Sequence, residues 1–98
     1  MRMAMLTQKQ VEEIVRDYIL KEAKKRKGFS YTQKVVFKST RLHSIAHRPI
    51  YKSMGYFEYE KRARGRLLSF RVRQPFAAEV DADSGDLLTY NPEQEEEV

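Results

Sequence analysis

Met54-Gly-Tyr-Phe-Glu-Tyr-Glu-Lys-Arg62 and Arg66-Leu-Leu-Ser-Phe-Arg-Val-Arg73 flank a short Ala63-Arg64-Gly65 link, and both arms alternate apolar with polar side chains. Successive side chains of a strand point to opposite faces, so Phe57 and Tyr59 share one face of the first arm and Leu68, Phe70 and Val72 share one face of the second. The pattern predicts a β-hairpin. With Arg64-Gly65 as a two-residue turn, Phe57 faces Val72, Tyr59 faces Phe70, and Glu58 stands opposite Arg71 on the other face. A slip of two residues keeps the faces and changes the partners. Cross-strand pairs of this kind contribute about 0.2–1 kcal/mol each and neutralise part of the hairpin's positive charge.

Upstream, the period is 3.6 rather than 2. Val11, Ile14, Val15, Tyr18, Ile19 and Ala23 make one apolar stripe, with Lys9, Glu13, Arg16, Asp17 and Lys21 mostly outside it. Thr7 and Gln10 have capping-box spacing. Glu12 and Glu13 lie near the positive end of the helix dipole, Lys24, Lys25, Arg26 and Lys27 lie at its negative end, and Gly28 follows. A helix over 7–27 is expected. Tyr31, Val35 and Phe37 then alternate with Thr32, Lys34 and Lys38, which predicts a strand over 31–41. Residues 42–52 show no clean period, and Pro49 speaks against a central strand, so a connection or irregular edge segment is expected there.

Downstream, Pro75 interrupts the run, and Phe76, Ala78 and Val80 resume the alternation. Ala82-Asp-Ser-Gly85 has turn chemistry, and Asp86–Tyr90 returns as a short strand. The expected fold class is α+β: one N-terminal helix packed on a four- to five-stranded antiparallel meander sheet, in two layers. The domain expectation is one unit over 1–92, followed by an acidic tail, 93–98, that has nothing to bury and frays. Folding of that tail back onto the basic sheet, as a mimic of an acidic partner, is the other arrangement its charge allows.

The chain has 98 residues, 41% of them hydrophobic and 34% charged, with formal net charge +5. Four of its fourteen acids lie in the last six residues, and residues 34–73 hold eleven Lys or Arg against Glu58 and Glu60. A field of that sign attracts nucleic acid, anionic lipid or an acidic protein. No run approaches the roughly 18 apolar residues of a membrane span. The absence of cysteine excludes disulfides, thiolate catalysis and cysteine-based zinc sites. Met1–Leu6 is too short for the apolar region of a secretion signal, which gives a cytoplasmic expectation.

Chemistry-bearing clusters are sparse. Asp81-Ala-Asp83-Ser-Gly85-Asp86 misses the calcium-loop register, with glycine at the fifth position and proline at the twelfth. A hairpin turn capped by Asp side chains explains the same residues. His43 and His47 stand four apart without a helix to align them, and read as exposed loop histidines. Glu58 and Glu60 read as partners of Arg71 and Arg73 rather than as an acid–base pair. The serines lie in no nucleophile motif, and no glycine-rich phosphate loop exists. The expectation is a non-enzyme without a cofactor.

Phe76-Ala-Ala-Glu-Val80-Asp-Ala-Asp-Ser-Gly85-Asp-Leu-Leu88 resembles the end of PepSY and related cystatin-like domains, where a strand closes in a V-D-A-x-T/S-G-x-v/l turn and the chain returns as a last strand. Val80, Asp81, Ala82, Ser84, Gly85, Leu87 and Leu88 fit that pattern, and the order of a helix before a meander is similar. The resemblance implies a non-catalytic module that binds or inhibits peptidases or acts in contacts at the cell envelope. It hands over no site residue.

The leading functional expectation is therefore a binding module with a protein partner. The alternative is nucleic-acid or polyanion binding through the basic hairpin 61–73, with Lys61, Arg62, Arg64, Arg66, Arg71 and Arg73 as the contacts. Phe57, Tyr59 and Phe70 have the parity of the helix side, which leaves Tyr56 for solvent. An uncovered strand edge offers a third route, pairing with a second copy as a homodimer.

Overall fold

Thr7 and Gln10 close the capping box that their spacing predicts. The Thr7 N–H donates to Gln10 Oε1 at 2.9 Å and the Gln10 N–H donates to Thr7 Oγ1 at 3.2 Å, so two donors at the helix start are satisfied reciprocally. The helix that follows, α1 (Gln8–Lys25), buries Val11, Val15 and Ile19. Each such side chain contributes about 1.5–3 kcal/mol by leaving water. The computed structural model describes the backbone of residues 5–25, 29–62 and 69–98, and their side chains apart from 23–33 and 61–69. Expectations for the helix end at 26–28 and for the turn at 63–66 lie outside the described residues.

Among the described residues five strands follow: β1 (Phe29–Ile45), β2 (Arg48–Arg62), β3 (Ser69–Asp81), β4 (Leu87–Pro92) and β5 (Glu96–Glu97). All pairings are antiparallel. The spatial order is β1-β2-β3-β4, with β5 also pairing with β3. The fold is α+β, one helix on one face of an open sheet. Val11, Val15 and Ile19 meet Tyr51, Phe57, Tyr59, Val72, Phe76, Ala78, Val80 and Ala82. Polar contacts fix the first turn of the helix on the sheet. Buried Thr40 donates to Glu12 at 2.8 Å and shares a 3.1 Å contact with the Ser53 hydroxyl, while the Gln8 amide donates to the Thr40 carbonyl. No helix among the described residues is long and apolar enough to cross a membrane.

The expectation for 42–52 is corrected. β1 runs on to Ile45, turns at Ala46-His47, and returns as β2, which lies in the middle of the sheet. Both turn residues have positive φ, 51° and 65°, the conformation that a tight two-residue hairpin of matching twist requires. Pro49 is tolerated because its carbonyl faces away from β1 and accepts the Ala82 N–H at 3.0 Å. The N–H and C=O of a strand residue point to the same side, so the missing donor costs the β1–β2 ladder nothing. Pro75 likewise sits inside a continuous β3. Its carbonyl points to the outer edge, where it takes the Glu93 N–H at 2.9 Å.

The β2–β3 hairpin exists in the slipped register. Phe57 faces Gln74, Tyr59 faces Val72, and Glu58 faces Arg73, while Arg71 faces Glu60. Phe57 and Tyr59 are buried as their parity implies, but Phe70 is 36% exposed. The reason is length. Eighteen helical residues span about 27 Å, whereas the fifteen residues of β2 reach about 50 Å. The sheet outruns the helix that covers it, and the molecule measures 57 × 21 × 18 Å.

Residues 93–98 lie along β3 rather than fraying. Val98 N–H donates to the Arg71 carbonyl at 3.1 Å, and Glu96 and Glu97 pair with Arg73 and Val72. The Tyr59 hydroxyl donates to Glu95, and the Gln74 amide donates to the Glu93 carbonyl. Each hydrogen bond contributes about 0.5–1.5 kcal/mol net. Ordering each tail residue costs about 1–2 kcal/mol of backbone entropy. The bonds offset only part of that cost, and every side chain of the segment is exposed.

Candidate functional site

The register of β1, β2 and β3 determines what stands on the sheet face opposite the helix. Val36 faces Tyr56, Ser39 faces Met54, Arg41 faces Lys52, and Lys34 faces Glu58. A bulge between Phe37 and Ser39 accompanies this register. It is built around Gly55, where an added Cβ would lie 2.0 Å from the Val36 carbonyl oxygen. Glycine is required there because the backbone of β1 comes so close. Among the described residues no element covers this face.

Two clusters occupy it. In the first, the Arg73 guanidinium lies 4.3 Å from the centre of the Tyr56 ring and 3.3 Å from Glu58 Oε2. The Lys38 ammonium lies 5.4 Å from the same ring centre. Tyr56 therefore holds cations against its ring by cation–π attraction. Glu58, buried at 6% exposure, has its charge compensated by Arg73. The second cluster lies further towards the Ala46-His47 turn. Ser39, Arg41, His43, Lys52 and Met54 line a shallow trough of about 300 Å³. Arg41 and Lys52 are direct cross-strand neighbours of like charge, an arrangement that costs stability on an exposed sheet. On its other side Lys52 faces Glu79, whose carboxylate accepts the Thr89 hydroxyl at 2.9 Å.

At the same end of the sheet as the Ala46-His47 turn, the β3–β4 turn is held by Asp81. Its Oδ1 accepts the N–H groups of Asp83 and Ser84 at 2.9 and 3.0 Å, and its Oδ2 pairs with Arg48 at 3.1 Å. The N–H of Ser84, that of Asp83 and the Arg48 charge hold the Asp81 carboxyl below its ordinary pKa, against the opposing effect of burial. Gly85, at φ 80°, takes the left-handed position of the turn. Both carboxylate oxygens of Asp81 are thus engaged within the protein.

The six cations expected to form a polyanion contact do not form one described cluster. Arg64 and Arg66 lie outside the described residues. Lys61 and Arg62 end β2, with side chains outside the description. Arg71 is exposed, whereas Arg73 is engaged by Glu58 and Tyr56. The described positive surface is centred instead on Lys34, Lys38, Arg41 and Lys52, all exposed. The outward parity of Lys34 and Lys38 signals half of it. The Arg41–Lys52 pair is invisible until 42–52 is known to be a hairpin. Both histidines are exposed, as expected; His47 lies in the turn between β1 and β2, whereas His43 is on β1 rather than in a loop. Among the described residues no three potential metal ligands cluster.

No family model, curated protein or solved structure matches the chain.

Proposed function

We propose that this chain is a small non-catalytic binding module, of PepSY-like or cystatin-like type, that takes an acidic protein partner on the open face of its sheet. The observation that carries this reading is the Arg41–Lys52 pair. Two like charges face each other across strands, beside His43 in a shallow trough, with Lys34 and Lys38 further along the face. Glu79 stands across from Lys52 on its other side, whereas the cross-strand partner of Arg41 is Lys52 itself, so a partner carboxylate beside Arg41 relieves what Glu79 does not offset. The resemblance of 76–88 to domains that bind or inhibit peptidases supports the same class of function.

Nucleic acid is the alternative, with the hairpin cations Arg71 and Arg73 extending the surface. Sequence-tolerant binding to single strands relies on free aromatic faces for stacking. Tyr56 has Arg73 and Lys38 against its ring, so such binding would rest on phosphate contacts.

The test is a fluorescence titration of the full chain with a labelled Asp/Glu-rich peptide and with labelled single- and double-stranded oligonucleotides, each at two salt concentrations. The peptide is expected to bind, and Arg41→Ala with Lys52→Ala to weaken it at least about tenfold, as for charge-assisted contacts. Tighter, steeply salt-dependent binding of an oligonucleotide transfers the proposal to nucleic acid. Equal peptide binding by the double variant removes the open face as the site.

A further inference from the structure

We propose that the outer edge of β3 between Arg71 and Pro75 is a strand-addition site for an extended acidic peptide of a partner protein, and that the chain's own residues 93–98 are its exchangeable occupant. This goes beyond the open-face reading, since the edge lies at the rim of the sheet and neither surface requires the other.

The argument begins where β4 ends. Its pairing with β3 runs from Val80 to Phe76, where Pro92 is the last partner. Beyond Phe76, the outward carbonyls of β3 need another strand. Those of Pro75 and Arg71 receive the N–H groups of Glu93 and Val98 at 2.9 and 3.1 Å. These bonds use main chain alone and accept any extended segment. Two side chains add selectivity. Gln74, 7% exposed, donates its amide to the Glu93 carbonyl, and Tyr59, 2% exposed, donates its hydroxyl to the Glu95 carboxylate. A backbone carbonyl and, two residues later, a carboxylate are therefore what the edge reads. Peptides that add to sheet edges take affinity from the main chain and specificity from such side-chain contacts.

The occupant is held less firmly than its site is built. Ladder pairing extends over two residues, Glu96 and Glu97, and all six side chains of the segment are exposed. Gln74 and Tyr59 belong instead to strands anchored in the core. Tethering gives the tail an effective concentration in roughly the millimolar range. A partner displaces it by matching its contacts at comparable concentration, or by extending the pairing along β3 towards Ser69.

The experiment uses the full chain and the acetylated peptide Glu-Gln-Glu-Glu-Glu-Val as probe, followed by NMR. At roughly millimolar peptide, the Glu93 and Val98 amides of the chain are expected to lose their hydrogen-exchange protection as the peptide binds. Glu95→Ala in the chain is expected to tighten peptide binding by about tenfold, because the resident loses its charged acceptor. Tyr59→Phe in that background is expected to abolish the gain. Peptide-induced shifts confined to Ser39, Arg41 and Lys52, with the tail amides unchanged, overturn this proposal and leave the open-face reading standing. Equal peptide affinity with and without Glu95→Ala overturns it as well, as does the absence of any shift at low salt.

Discussion

Gly55 and Asp81 show how single residues hold this sheet in shape. Gly55→Ala would drive a methyl group to 2.0 Å from the Val36 carbonyl oxygen, a backbone atom that moves only if β1 moves. The expected cost is about 2–3 kcal/mol, the upper range for overpacking, read as a lower urea midpoint at unchanged m-value. A loss under about 0.5 kcal/mol, within surface-mutation scatter, would mean that β1 does not approach β2 this closely. Asp81 makes a prediction about pH. Its carboxyl is held low by the Ser84 and Asp83 N–H groups and by Arg48, so the unfolded state binds a proton more readily than the folded state. Its contribution to stability is then fully present above the unfolded value near 3.9. It is lost as pH falls through the lower folded value. Asp81→Asn should be less stable than wild type at neutral pH, with the gap closing below about pH 4. A gap that stays constant down to pH 2 would show that the charge of Asp81 is not what holds the turn. The capping of the turn by Asp81 is as the sequence implies; the role of Gly55, which depends on a bulge in another strand, and the pairing of Asp81 with Arg48, thirty-three positions away, are not legible from residue type.

At the scale of elements, legibility follows how locally each feature is determined. The capping box and the Val11–Val15–Ile19 stripe are set by neighbours within a few positions, and both are as the sequence implies. The faces of β2 and β3 follow from alternation alone. Register does not, since a shift of two leaves every side chain on its own face. The observed hairpin pairs Glu58 with Arg73 rather than Arg71. Hairpin β1–β2 escapes the sequence reading because its turn is Ala46-His47, with none of the usual Asn or Gly, and Pro49 follows. The candidate site inherits that gap. Lys34 and Lys38 are readable as outward cations, whereas Arg41 and Lys52 meet only through this turn. Register is testable by double-mutant cycles measured in urea. Glu58 and Arg73, bridged at 3.3 Å and partly buried, should couple by about 0.5–1 kcal/mol. Glu58 and Arg71 should be additive within about 0.3 kcal/mol. The reverse ranking would restore the unslipped hairpin.

Over the whole molecule, the two faces of the sheet obey different demands. The helix-covered face is optimised for burial, down to Thr40 and Ser53 satisfying each other beneath the helix start. The open face keeps an unfavourable element, with Arg41 opposite Lys52 where opposite charges would be favourable. Natural chains retain local conflicts of this kind where a site needs them. The conflict is separable from the fold because Arg41 lies on the sheet's edge strand, which among the described residues has β2 as its one strand neighbour. Arg41→Glu converts the repulsive pair into an attractive one. It should therefore raise stability by about 0.2–1 kcal/mol, towards the lower end because both side chains are exposed. The gain should shrink on going from about 0.01 M to 1 M salt, as the screening length falls from roughly 30 to 3 Å. The same substitution should abolish binding of an acidic peptide to the open face. A more stable protein that no longer binds is the signature of a surface kept for a partner. If Arg41→Glu instead destabilised the chain at low salt, the like-charge pair would not be the strained element. If it stabilised the chain and left anion binding intact, the pair would be strained without serving the site.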